Sequence, residues 1–152
     1  MPRGRGNQPD ERILNAFLRV VADVVVFNQR VADQLHLGVS DMQFMTHLQL
    51  HGPLTPGRLA ELSGLQSGTV TGVVDRLEKA GFVTRRRDEH DRRKVHVVLD
   101  AARVEREVMP LYALQAQRLT SVLNAFKPRE LDAIARFLEQ LGEGGAGALP
   151  SG

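Results

Sequence analysis

Ser67, Thr69 and Thr71 place small hydroxyls along one short segment, Gly68 and Gly72 leave gaps beside them, and Arg76 adds a guanidinium fork. Groups of this kind hydrogen-bond phosphate oxygens and base edges. Between them Val70, Val73, Val74, Leu77 and Ala80 recur at helical spacing, so residues 67–80 are expected to form a helix with one apolar stripe. Gly68, Thr71, Gly72, Asp75 and Lys79 fall on the other side. Each glycine on an exposed helical face costs on the order of 1 kcal/mol relative to alanine. A helix has no reason of its own to carry two of them there, so the pattern implies that something approaches that face closely. A DNA major groove is wide enough to admit a helix. An ordinary half-buried helix has the same period, so the helix alone does not decide between the two.

The next stretch adds charge. Val83, Arg85 and Arg87 alternate with Thr84 and Arg86, Asp88-Glu89-His90-Asp91 makes a polar turn, and Val95, Val97 and Leu99 restore a period of two. This predicts a two-stranded hairpin with a charged tip. Arg85, Arg86, Arg87, Arg92, Arg93 and Lys94 outnumber Asp88, Glu89 and Asp91, and such a cluster repels itself unless a polyanion is near. A single arginine there reads as solvated surface; a cluster directly after a candidate recognition helix points to duplex DNA.

The run Leu59-Ala60, Gly68-Thr69-Val70-Thr71, Asp75-Arg76-Leu77-Glu78-Lys79-Ala80-Gly81-Phe82-Val83 and Asp91-Arg92-Arg93 resembles the winged helix-turn-helix of the multiple antibiotic resistance regulator (MarR) family. The resemblance is close over the central third of the chain and extends to the flanking helices only by their pattern. It implies a homodimer in which long helices from both ends of the chain associate and two winged lobes read a pseudo-palindromic operator on double-stranded DNA. By the same resemblance the helix from Ser67 enters the major groove, Arg92 or Arg93 probes the adjacent minor groove with Arg86 on the same hairpin, and Asp91 is the wing aspartate that braces those arginines. Two departures stand out. Gly72 occupies a place where many relatives carry a basic residue, so no base preference carries over. Leu99-Asp100-Ala101-Ala102 replaces the usual Leu-Thr pair and glycine, although Asp100 remains able to cap the helix that follows.

The expected fold is mainly α with a small β-hairpin wing, a winged helix-turn-helix lobe over 40–99 joined to a helical dimerisation region over 10–36 and 101–142. A flexible arm over 1–9 and a flexible tail over 143–152 complete it. At 152 residues and 42% hydrophobic content the chain suffices for one lobe and a dimer interface, and is short for a multidomain enzyme. Its net charge is only +2, although the pI is near 9.5, so the cations matter by location. It holds no cysteine, which excludes a disulfide framework and a thiol switch within the chain. The basic start has no following apolar core with a cleavage site, so a cytoplasmic location is expected. The most apolar run, Val20 to Phe27, is interrupted by Asp23 and falls well below the roughly 20 residues of a membrane span.

Over residues 10–35 the apolar positions cover more than one side of a helix, which a second subunit would have to share with the chain's own core. Leu37-Gly38 should break that helix. Ser40 with Gln43 has the spacing of a capping box and Val39 with Phe44 that of a hydrophobic staple. Thr55 and Pro56 should cap and open the next helix, which would brace the recognition helix and offer its own N-terminus to a phosphate. A long helix over 101–126 should kink near Met109 at Pro110. Pro128 should open the last helix and Gly142 end it.

No catalytic constellation is present: there is no Gly-rich phosphate loop, no HExxH pair and no nucleophile elbow, so no enzyme and no cofactor is expected. His47 and His51 share a helical face, but no carboxylate or thiol between them completes a metal signature, and the expected metal assignment is none. A small aromatic or amphipathic ligand between the dimer helices and the lobe would change the spacing of the recognition helices. Phe44, Met45, His47, Met109 and Tyr112 are candidates to line its site, and core packing accounts for each of them equally well. The rival reading is a winged-helix module whose arginines face an acidic protein partner.

Overall fold

The computed structural model describes residues 8–143. The arm and tail expected over 1–9 and 143–152 lie outside them, apart from residues 8, 9 and 143, which are helical. The elements run α1 (Gln8–Gln34), α2 (Val39–His51), α3 (Pro56–Ser63), α4 (Ser67–Lys79), β1 (Val83–Arg87), β2 (Val95–Leu99), α5 (Ala101–Glu107), α6 (Met109–Leu123) and α7 (Pro128–Glu143). The mainly α fold with one hairpin is as expected. The chain divides after Met42 into two compact units.

In the first unit, α1 begins two residues before the expected start, and Asp10 and Glu11 in its first turn suit the positive end of the helix dipole. Its end differs from the expectation in a definable way. The left-handed residue is His36 (φ 55°), not Gly38. The Leu37 amide donates to the Ala32 carbonyl at 2.8 Å and the His36 amide to that of Asp33 at 3.1 Å, the paired bonds of a Schellman cap. Histidine enters the left-handed region more readily than most side chains. The Ser40–Gln43 capping box does not form, because α2 starts earlier and leaves Ser40 inside its first turn. Gly38 is the cap residue instead, and its amide donates to Asp41 Oδ2 at 2.7 Å. Val39, already helical and 54% exposed, is no residue before a cap, so the Val39–Phe44 staple is absent too.

The second unit holds the lobe. Thr55 Oγ1 accepts from the Arg58 amide at 3.2 Å and Pro56 opens α3, as the sequence implies. Gly64, at φ 68°, turns the chain out of α3. Leu59, Val70, Val73, Val74, Leu77, Phe82, Val83 and Val97 are all buried and form the centre of the lobe. The hairpin is antiparallel, pairing Val83 with Leu99 and Arg87 with Val95. Leu54, just before α3, adds a bridge to the far edge of β2: its amide donates to the Val97 carbonyl at 3.2 Å and its carbonyl accepts from the Val97 amide at 2.7 Å. Asp100 caps α5 through the Arg103 amide at 2.9 Å.

The long helix expected over 101–126 is two helices that part at Val108, and the second ends at Leu123, before Phe126. The break frees Pro110 from a helix interior and places it in the first turn of α6, where a missing amide hydrogen costs nothing. Pro128 opens α7, but Gly142 does not end it; the helix continues to Glu143.

Candidate nucleic-acid interface

The apolar stripe of α4 is buried as its spacing requires: Val70, Val73, Val74 and Leu77 are each 0% exposed, while Ala80 sits half-buried at the C-cap. Burial of that stripe fixes which side of α4 faces outward. Ser67, Gly68, Thr69, Thr71 and Arg76 are exposed there, and Gly72 is half-buried. A Cβ at Gly68 would meet nothing within 4 Å, and one at Gly72 only Arg76 Nη1 at 3.8 Å. Neither residue has a positive φ. The fold therefore has no need of glycine at either position, and the cost in helix stability is not offset inside the chain.

The hydroxyls are not equivalent. Thr71 Oγ1 donates to the Ser67 carbonyl at 3.0 Å, so its proton is engaged within the helix and only its lone pairs face outward. At its N-terminus α4 has no side-chain cap from Gln66. The expected phosphate seat at α3 is instead partly occupied by Thr55. Gly81, at φ 79°, closes α4, with the Phe82 amide donating to the Leu77 carbonyl and the Gly81 amide to that of Glu78, both at 2.9 Å. A Cβ there would lie 2.8 Å from Arg103 Nη1, whose guanidinium stacks over the Phe82 ring at 4.9 Å. Here the left-handed backbone calls for glycine, and a side chain would also have to displace the end of Arg103.

The hairpin tip is held by its own aspartates. Asp88 accepts from the Asp91 amide at 2.9 Å and the His90 amide at 2.8 Å, and these bonds hold its carboxyl below the usual range. Asp91 Oδ1 accepts from the Arg93 amide at 3.1 Å, and the Lys94 amide donates to the Asp91 carbonyl at 2.9 Å. Asp91 thus braces Arg93 through its backbone rather than through its guanidinium. Arg86, Arg87, Arg92 and Arg93 are exposed, and among the described residues no carboxylate is within ion-pairing distance of them.

Arg85 differs from its neighbours. It pairs with Asp75 Oδ1 at 2.5 Å and with Glu78 Oε2, and its amide donates to Glu78 Oε1 at 3.3 Å. The Asp75 hydrogen bond is the chief reason its guanidinium is held more firmly protonated than usual. One member of the basic cluster is thereby neutralised by α4 itself. The period of two could have found this, since Arg85 shares a strand face with buried Val83.

The candidate ligand residues occupy different settings. Phe44 (0% exposed) and Met45 (5%) are core, His47 and Tyr112 are half-buried, and Met109 is 38% exposed. Burial raises the Tyr112 hydroxyl pKa. Both ring nitrogens of His47 are buried without a partner, and the His51 ring stacks on it at 6.2 Å. Among the described residues no group of three or more His, Cys, Asp or Glu is placed to hold a metal. Burial, then His51, lowers the His47 pKa. The neutral form is favoured in the fold, so stability is retained above the ordinary histidine value of about 6.5 and declines as pH falls below it. Replacing His47 by leucine should raise stability by on the order of 1 kcal/mol, through removal of unsatisfied nitrogens, and flatten that acid-side decline. Urea unfolding at pH 7.5 and pH 5 checks both.

Residues 40–95 match the model of the MarR family. Over 136 residues the chain is 30% identical to the HTH-type transcriptional regulator YcgE of Bacillus subtilis, covering 90% of this chain and 88% of that one. It is 30% identical over 107 residues to the transcriptional repressor MprA of Escherichia coli, covering 66% and 61%. The structure of a MarR family protein from Bacillus stearothermophilus superposes with a TM-score of 0.66 at 27% identity, over 90% of this chain and 96% of that one.

Proposed function

This chain belongs to the MarR family of winged helix-turn-helix transcriptional regulators, and from that premise we propose that it is a homodimeric repressor that reads a pseudo-palindromic operator. The observation that carries the reading is the outer face of α4, where Gly68 and Gly72 are left open without internal need, beside a hairpin bearing four arginines that lack carboxylate partners. Ser67, Thr69, Thr71 and Arg76 meet the major groove, and Arg86, Arg92 and Arg93, steadied by Asp91, reach the phosphates and the adjoining minor groove. Two lobes on one face of the duplex require half-sites about one helical turn apart. Occupying a promoter in this way excludes polymerase, and the similarity to MprA supports repression.

The dimer is supported by apolar surface. Leu14, Leu18 and Val25 on α1 and Leu114, Leu138 and Leu141 on α6 and α7 are 48–73% exposed, more large aliphatic surface than a monomer ordinarily leaves in water. A second copy would cover it, which supports residues 10–36 and 101–142 as the dimerisation region and leaves 40–99 to meet DNA. No helix among the described residues is long and apolar enough to cross a membrane, and the protein would act in the cytoplasm. A small aromatic or amphipathic ligand lined by Phe44, Met45, His47, Met109 and Tyr112 would release the operator. Linkage then requires that operator weaken ligand binding by the factor by which ligand weakens operator binding.

Affinity for duplex DNA, measured across a range of salt concentrations, tests the central reading. Phosphate contacts give a log-log slope of about −0.9 each, whereas no salt-sensitive affinity for any duplex would overturn it and favour an acidic protein partner. Sedimentation equilibrium tests the dimer. Gly72→Leu gives a sharper result. It should stabilise the isolated protein by up to about 1 kcal/mol and weaken operator binding by about 1–3 kcal/mol, the scale of one base contact. Unchanged affinity would move that face away from the bases.

A further inference from the structure

We infer that Arg85, with Asp75 and Glu78, is a clamp that sets the angle between recognition helix and wing, and is not itself a DNA contact; this rests on the DNA-binding reading above. Arg85 lies on β1, but its strand parity turns it toward the lobe, with a side chain 30% exposed. Its guanidinium spans two carboxylates three residues apart on the outer part of α4, and its backbone amide reaches one of them as well. One side chain and one amide of the wing are therefore tied to a single turn of the recognition helix.

Two features argue that the purpose is positional. Asp75 and Glu78 are 60% and 42% exposed, and exposed ion pairs contribute little to stability. Yet carboxylates on a helix that faces a polyanion are unfavourable for binding unless something is gained. A planar fork held from two sides has little freedom left, so it fixes direction as well as distance. The hairpin is otherwise joined to the lobe by the burial of Val83 and Val97, by the Gly81–Phe82 turn and by the Leu54–Val97 bridge. Apolar packing sets where β1 lies against α4 but is not directional, and the Arg85 fork adds the directional tie between them. Helix and wing must engage adjoining grooves at once, so that lean decides whether both fit.

The clamp makes a prediction opposite in sign to simple electrostatics. Asp75→Asn with Glu78→Gln removes two negative charges near the duplex, which by charge alone should tighten binding to any DNA. If the three residues form a clamp, affinity for a duplex selected from a random pool by the unaltered protein should fall about three- to tenfold. Affinity for a shuffled duplex should stay the same or rise. Arg85→Gln should lower affinity for the selected duplex to a similar degree, and the triple variant should be no worse than either, because all three remove one device. Thermal unfolding midpoints should be nearly unchanged throughout. Equal or tighter binding of the selected duplex by the Asp75→Asn, Glu78→Gln protein would overturn the clamp. So would a fall of about 0.9 per lobe in the salt slope on Arg85→Gln without weakening on removal of the acids, which would make Arg85 a phosphate contact. A pool from which the unaltered protein selects nothing would overturn the DNA-binding reading itself, and the clamp's role with it.

Discussion

An Arg92→Ala, Arg93→Ala protein should unfold at the same urea concentration as its parent and bind operator at least tenfold more weakly in moderate salt. Both residues are exposed at the tip, which is ordered by Asp88 and Asp91 through backbone amides that alanine retains. The fold thus has no stake in either guanidinium. Each phosphate contact contributes about 0.9 to the salt slope, so the double variant should lose up to about 1.8 per lobe, and the loss should shrink as salt rises. A loss of affinity with an unchanged slope would mean that the arginines act on bases or on the shape of the wing. Titrating labelled operator at several salt concentrations separates these outcomes.

The second large effect is on stability. Among the described residues Phe44 is the largest fully buried side chain, and truncating such a residue to alanine costs about 3–5 kcal/mol through lost transfer energy and the cavity left behind. Against a total of about 5–15 kcal/mol for an ordinary domain, Phe44→Ala should bring the protein near its unfolding threshold at 37 °C. A denaturant titration should show a lower midpoint with an unchanged slope. The same variant bears on the ligand proposal. A residue that only lined a pocket would change ligand affinity at nearly constant stability, whereas Phe44 should change stability first. Met109, 38% exposed, is the better position at which to probe ligand binding.

Much of this molecule was legible before its structure. The period of 3.6 in residues 67–80 and the period of two on either side of Asp88-Glu89-His90-Asp91 are local signals, and they located α4 and the hairpin. The Thr55-Pro56 start of α3 and the Asp100 cap of α5 were equally local, since each depends on a side chain and an amide three residues away. Where local signals compete, neighbours in sequence do not choose between them. Ser40 has the chemistry to cap α2, yet Gly38 is the cap residue and Asp41 accepts from its amide. Where α2 starts depends on where α1 ends, and the left-handed turn falls on His36, although Gly38 two residues on is the stronger local signal for such a turn. Pro110 announces a disturbance near Met109, and the interruption falls there, at Val108, which itself stays in the right-handed helical region.

By itself the sequence determined which elements form, which stripe of α4 is buried, and that cations gather on the hairpin, because each follows from neighbours a few residues apart. Tertiary structure alone decided how those cations divide. Arg85 is held by Asp75 and Glu78 across ten and seven residues of chain, while Arg86, Arg87, Arg92 and Arg93 are left outward. It also decided that Gly81 must turn the chain with a left-handed backbone beside Arg103, whereas nothing in the fold demands glycine at Gly68 or Gly72. Ion pairs and close approaches depend on where a strand comes to lie against a helix. That placement is set by the burial of Val70, Leu77, Val83 and Val97 together, which no single window of the chain contains.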